Sequence, residues 1–440
     1  MRATANLHRR VSRLLFAARS VAPCDRFVLG IAAGLVTGLI AFSPSGAIAR
    51  EIATPADRVL APLVASGQLS GVVTLTAVAG RPVAVSTIGY ADIATRTPMK
   101  RDTIFRAFSM TKPVTGVALM ILREQGKWDF NDPVAKFLPE LAHLKVFRGI
   151  DAAGKPILAD PTSQPTMGQL VSHTAGFLYG LGDSYVDKLY QKSIPLVNKS
   201  RTREEYLGAL AKIPLAYDPG TQWRYSIGMD LEGLIIERLS GMALSDFMRR
   251  HIFAPLKMKD TGFLLNSAQK RRMATLYAFQ GGRLVPASGP LDLDYTAKAP
   301  FDSGGGGLFT TVDDYGRFAL MLLNNGTFEG ARVLSPASVK ALMSNRISPA
   351  VAAGGYGIGV QQIRPGYEFG VNGIVVTDPE QAKVALGKGS YLWDGAAGTW
   401  FWVDPEHKTV FVGLIQRLGA PPPLQVQLLS EQAIKAAFYH

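Results

Sequence analysis

In the stretch FRAFSMTKPVTG, residues 105–116, Ser109 stands three positions ahead of Lys112 at the mouth of an apolar run. If a helix begins near Ser109, both side chains share one face and the serine sits at the electropositive end. A serine hydroxyl attacks only when a base removes its proton, and a lysine is that base only when burial or nearby positive charge lowers its pKa. Phe105, Phe108 and Met110 offer the burial. A lone SxxK is far more often a serine cap beside a solvated lysine. The rest of the chain must decide between the two.

The flanking segments supply the scaffold. EIATPADRVLAPLVAS reads as an amphipathic helix, and GVVTLTAVAG with RPVAVSTIGYAD as two strands around the turn 79–82. From Ser109 to about residue 290 apolar residues recur at helical spacing, so this middle reads as mostly helix and loop. FDSGGGGLFTTVDDYGRFALMLLNNG gives a glycine-rich turn entering a helix, YGIGVQQI, SYLWDG, GTWFWVDP and TVFVGLIQRL read as strands, and QVQLLSEQAIKAAFY as a closing helix. Strands from both ends imply an α/β (α+β) fold. Its antiparallel sheet, built from residues 50–108 and 291–440 and flanked by helices, would carry a mostly helical insertion, residues 109–290. A pocket between the two would be the default site.

The order SMTK, VTGVALMIL, GKWDFNDPVAKFLPEL and LVSHTAGF resembles the serine β-lactamase and penicillin-binding-protein superfamily, from about residue 55 to 435. The resemblance implies that Ser109 forms an acyl-enzyme and that Lys112 is its base or base partner. The superfamily's second element is a YxN triplet; Tyr225-Ser226-Ile227 keeps the tyrosine and replaces the asparagine with Ile227. A phenol beside a lysine can relay the serine proton and later protonate the leaving group. The third element, usually KTG or HTG, is here Trp393-Asp394-Gly395, which resembles the WxG form of the family VIII carboxylesterases, in a class C-like chain. Trp393 removes the cation that would meet a substrate carboxylate, and Gly395 keeps the strand edge open. By the same resemblance the backbone N–H groups of Ser109 and Ala396 form an oxyanion hole, each such donor worth about 3 to 4 kcal/mol. Tyr179 and Asp302-Ser303 are expected to line the acyl or alcohol pocket. His173 is expected in a structural turn rather than as a base. No GxSxG elbow and no HExxH helix occurs.

The implied function is a serine hydrolase acting through an acyl-enzyme, a carboxylesterase on short-chain esters, with no metal or organic cofactor. The alternative is an amide hydrolase: a β-lactamase, a D-alanyl-D-alanine carboxypeptidase or an enzyme of small linear amides. Ile227 and Trp393 weigh against the first two. A third reading, a catalytically silent envelope-binding protein, has no use for Ser109, Lys112 and Tyr225 together.

Bulk composition fits an exported globular enzyme. The 440 residues are 47% hydrophobic and 18% charged, ample for a core. Arg2, Arg9, Arg10, Arg13, Arg19 and Arg26 precede the uncharged run 27–42 and the segment SPSGAIA, the layout of an export signal cleaved after Ala49. The run has 16 residues, against the roughly 20 that span a bilayer, so a cleaved signal is favoured over a membrane anchor. Arg9-Arg10 also suggests twin-arginine export, although Ser12 and Arg13 stand where that signal carries apolar residues. Losing six arginines and one aspartate with this leader lowers the net charge from +13 to +8. No basic run interleaved with aromatics points to nucleic acid. The sole cysteine, Cys24, leaves with the leader, which removes thiol nucleophiles and thiolate metal sites from the mature chain. The expected partner is a small ester or amide substrate, with membrane contact only through an uncleaved leader, and the expected location is periplasmic or secreted.

Overall fold

The computed structural model describes residues 50–439 except 52, 80, 82, 199, 359–360 and 420–424. The leader, its cleavage site and the export route lie outside the described residues. Among the described residues nine strands form the main sheet: β1 Arg50–Glu51, β2 Gly71–Val78, β3 Ala84–Asp92, β4 Thr97–Pro98, β5 Tyr367–Phe369, β6 Ile374–Val376, β7 Tyr391–Asp394, β8 Trp400–Asp404 and β9 Thr409–Leu414. Their order is β1-β3-β2-β9-β8-β7-β6-β5, with β4 also on β3. All pairs are antiparallel except β1 with β3. The register Val412↔Leu75 joins the N-terminal hairpin to the C-terminal meander, so the sheet is built from both ends of the chain, as the strand pattern implies.

Alternation along β8 shows how both faces are covered. Trp400 donates its indole N–H to Ser430 Oγ at 3.1 Å on helix α5, Val426–Phe438, where α5 packs with helix α1, Asp57–Ala65. Phe401, one residue on, meets the ring of Tyr315 at 5.0 Å on helix α4, Val312–Leu323. Helix α2, Thr111–Glu124, is buried from Thr111 to Leu122 and packs against helix α3, Gly228–Ser240.

The segment between residues 109 and 290 is not purely helix and loop. Two hairpins interrupt it, Val146–Ile150 with Pro156–Ala159 and Tyr277–Gln280 with Arg283–Pro286. The second turns through Gly281 and Gly282, both at positive φ (55° and 80°), a two-glycine connection that matches strand twist in tight hairpins. YGIGVQQI forms a separate hairpin, Tyr356–Ile358 with Gln361–Ile363, rather than joining the sheet.

Candidate active site

Ser109 occupies a short 3-10 turn, Phe108–Met110, that runs directly into α2. The turn is clamped on all sides. Phe105–Arg106 pairs antiparallel with Phe309–Thr310, and Gln416 exchanges hydrogen bonds with both the N–H and the carbonyl of Arg106. Tyr315 Oη donates to the Met110 carbonyl at 2.8 Å. These contacts hold Phe108 at φ 45°, a left-handed conformation that is strained for a bulky residue and typical of segments whose geometry serves a site.

Ser109 is not a helix cap: Met110 holds the N-cap position and no side chain caps α2. Its Oγ instead accepts hydrogen bonds from Lys112 Nζ at 3.0 Å and Tyr225 Oη at 2.7 Å. Lys112 is 1% exposed, and its Nζ also donates to the Gly305 carbonyl at 2.6 Å. The ammonium also lies over the rings of Tyr225 and Tyr179, 4.7 and 5.2 Å from their centroids. Burial drives Lys112 down from 10.5 to about 7, against the pull of Asp230, Asp394 and Glu232, which favour its charged form. Burial holds the Tyr225 phenol above its ordinary value of 10, against the opposing effect of its bond to Ser109. Near neutral pH the tyrosine is therefore a proton donor, and the lysine is the group able to exchange its proton.

Carboxylates that sequence reasoning passed over organise the lysine's surroundings. Asp230, in the first turn of α3, accepts from Ser303 Oγ at 2.6 Å and from Gly305 N at 3.0 Å, and so aims the Gly305 carbonyl at Lys112. A side chain at Gly305 would come within 2.7 Å of Tyr179 Oη and 2.8 Å of Asp230, which explains the glycine. Glu232, fully buried on α3, accepts from Asn372 at 2.6 Å, and Asn372 also donates to the Lys112 carbonyl at 3.0 Å. Burial raises Glu232 to about 8, and Asp394 to about 6 against hydrogen bonds from Gln427 and Gln361. The available signal was Asp230 and Glu232 inside the otherwise apolar run GMDLEGLII, residues 228–236.

The third motif reaches the site along β7. Trp393 is 1% exposed, its ring lies tilted 5.7 Å from that of Tyr225 and edge-on 5.4 Å from that of Phe369, and its indole N–H has no hydrogen-bond partner among the described residues. Gly395 leaves room not for a ligand but for the chain itself: a Cβ there would meet Thr399 Oγ1 at 2.3 Å and the Ala107 carbonyl at 2.4 Å. The glycine thus brings the strand end against the Ser109 turn. The N–H groups of Ser109 and Ala396 have no partner among the described residues, and both residues line one cavity of about 1050 Å³. Tyr179, Tyr225, Trp393, Gly395, Asp302 and Ser303 line it as well. His173 is apart from this group: buried at φ 59°, it bonds Ser226 Oγ at 2.9 Å and packs its ring under Tyr225. Ile227 is buried and presents no amide.

The arrangement can generate a serine alkoxide equivalent and stabilise an oxyanion beside it. Loss of one ammonium proton reverses the Lys112 contact, so the neutral amine accepts the Ser109 hydroxyl proton while Tyr225 still donates to Oγ. Among the described residues no group of three His, Cys, Asp or Glu could hold a metal ion, and no helix is long and apolar enough to cross a membrane.

Comparison with known proteins gives a consistent picture. A family model described as Beta-lactamase matches residues 56–433. Protein Rv1367c of Mycobacterium tuberculosis is 36% identical over 358 residues, covering 80% of this chain and 86% of its own. Esterase EstB of Burkholderia gladioli is 28% identical over 379 residues, 81% of this chain and 88% of its own. Among solved structures, EstCE1, described as a hydrolase with promiscuous acyltransferase activity, superposes with a TM-score of 0.72 at 25% identity, covering 87% of this chain and 97% of its own.

Proposed function

The chain belongs to the beta-lactamase family and is a serine hydrolase, and on that premise we propose that it cleaves carboxylic esters through an acyl-enzyme on Ser109. The observation that carries this reading is the pair of hydrogen bonds converging on Ser109 Oγ, from Lys112 at 3.0 Å and Tyr225 at 2.7 Å, beside two unpartnered N–H groups on one cavity. Neutral Lys112 takes the hydroxyl proton as Oγ attacks the ester carbonyl. The N–H groups of Ser109 and Ala396 hold the oxyanion. The proton passes through Lys112 and Tyr225 to the departing alkoxide, which leaves as the alcohol. Water then adds to the acyl-enzyme by the same relay and releases the acid.

The ester is favoured over a lactam by two side chains. Ile227 supplies no amide for a lactam side chain, and Trp393 supplies no cation for a lactam carboxylate. The esterase named among the relatives supports the same direction. Export through the leader belongs to the same proposal. The test is turnover of 4-nitrophenyl butyrate beside nitrocefin. The wild type hydrolyses the ester, Ser109→Ala does not, and a serine-directed phosphonate adds mass at Ser109. Rapid nitrocefin hydrolysis with negligible ester turnover would move the assignment to the amidase branch.

A further inference from the structure

Arg417 lies on the wall of the same cavity and has no counter-ion among the described residues. It follows β9 by three residues and is 7% exposed, yet its Nε and Nη2 have no hydrogen-bond partner among the described residues. No carboxylate offsets its burial, which lowers the guanidinium below its ordinary value unopposed. Arg106, comparably buried nearby in the chain's hydrogen-bond network, shows the usual remedy: it pairs with Asp292 at 2.8 Å and donates to the Ala274 carbonyl at 3.1 Å. Among the described residues the Arg417 guanidinium meets the face of Phe279, 4.6 Å from its Cζ. Burying a guanidinium without an acceptor is costly, and such groups are retained where a ligand supplies what the protein withholds.

The arginine is rigidly tied to the reacting centre. Its backbone N–H donates to the Ala397 carbonyl at 2.9 Å, one residue beyond the Ala396 N–H that faces the oxyanion position. Its strand, Arg417–Leu418, is pinned in parallel to Tyr277–Ala278. Around it the cavity is apolar, with Leu291, Leu293 and Ile415 on the wall, and Leu181, Leu196 and Leu264 about half exposed along the lining. A space of about 1050 Å³ takes a ligand far larger than a short-chain ester.

We propose that Arg417 is a specificity-determining residue that receives a carboxylate on the substrate, so that the substrate class is a bulky, mainly apolar ester carrying one free acid. Arg417 is tied to Ala397, at the far end of the segment from Trp393, so it does not replace the cation that a lactam carboxylate would meet at position 393. The inference rests on the reading of Ser109 as an ester-cleaving nucleophile and deepens it.

The test uses full-length purified enzyme and two size-matched pairs, each an anion and its neutral counterpart. Mono-4-nitrophenyl suberate against 4-nitrophenyl octanoate places the acid on the acyl side, and 4-carboxyphenyl butyrate against 4-carbamoylphenyl butyrate places it on the alcohol side. In at least one pair the wild type should favour the anion in kcat/KM. Arg417→Gln should lower that anion-to-neutral ratio at least about tenfold, mostly through KM, as expected for a lost charge-assisted contact, and Arg417→Lys should restore part of it. A ratio unchanged within twofold in both pairs, or equal losses on anion and neutral ester, overturns the proposal. If the wild type cleaves none of the four, the esterase reading fails, and the arginine is judged by itself from octanoate binding to Ser109→Ala protein by calorimetry. Binding that exceeds octanol's and is lost with Arg417→Gln supports the subsite; equal binding overturns it.

Discussion

The proton balance at Lys112 gives the most discriminating test of the mechanism. A fall from 10.5 to about 7 corresponds to about 5 kcal/mol of preference for the neutral amine, produced by burial and only partly offset by the surrounding carboxylates. If neutral Lys112 is the base, kcat/KM for 4-nitrophenyl butyrate rises with unit slope as pH rises through about 7. The rate at pH 6 is then about tenfold below the plateau, and at pH 5 about a hundredfold. Following product at the isosbestic wavelength of 4-nitrophenol keeps its own ionisation out of the profile. Asp394, held at about 6, titrates close by, and Asp394→Asn separates the two. Removing a negative charge that favours the ammonium moves the lysine limb to lower pH, whereas a limb belonging to Asp394 disappears. The same depression has a thermodynamic sign: the folded state binds fewer protons at Lys112 than the unfolded chain between about pH 7 and 10.5. Lys112's contribution to stability is therefore complete above 10.5 and is lost as pH falls through 7. A profile flat from pH 5.5 to 8 would refute Lys112 as the base.

Three further outcomes follow from the geometry. Tyr225→Phe removes the 2.7 Å donor to Ser109 Oγ and should lower kcat by about 10² to 10⁴, with a folded far-ultraviolet circular dichroism spectrum. Asp230→Ala strands the donors of Ser303 and Gly305, which should cost about 1–3 kcal/mol for each donor left buried and release the Gly305 carbonyl from Lys112. Asp230→Asn, whose amide oxygen can still accept from both, should keep the urea midpoint near wild type and shift the acid limb of kcat/KM to lower pH. Gly395→Ala forces a methyl to within 2.4 Å of the Ala107 carbonyl; overpacking of this kind costs about 1–3 kcal/mol, read from urea melts, and turnover should fall with it because the Ser109 turn must move.

How much was legible depended on whether a feature is local. The N-terminal hairpin, the C-terminal meander and α2, α4 and α5 carry their periodicity in contiguous residues, and each forms close to where the pattern puts it. The short strands β5 and β6 have three residues each, too few for alternation to register, and exist because β7 supplies the neighbouring edge. The hairpin at residues 146–159 leaves Ile150, Ile157 and Leu158 exposed, so no buried stripe announces it. Ser109, Lys112 and Tyr225 were legible because motif order recorded their juxtaposition. Arg417 was not: its sequence surroundings, GLIQRL, look like any strand end, and only the missing partner in three dimensions singles it out.

The carboxylates around Lys112 show why a site can be half visible. A lysine that must be neutral to act has no evident need for acidic neighbours, so Asp230, Glu232 and Asp394 do not follow from the chemistry of the nucleophile. Burial alone would depress the amine further than catalysis near neutral pH requires, and a base that weak would abstract the serine proton poorly. Asp230 first and then Asp394 bring the amine back to about 7, while Glu232, itself raised to about 8 and so mostly protonated there, adds least; hydrogen bonds from Ser303 and Gln427 keep Asp230 and Asp394 off Nζ. Opposing burial with charge held at a distance poises the lysine, and neither half of that balance can be recognised from Lys112 alone.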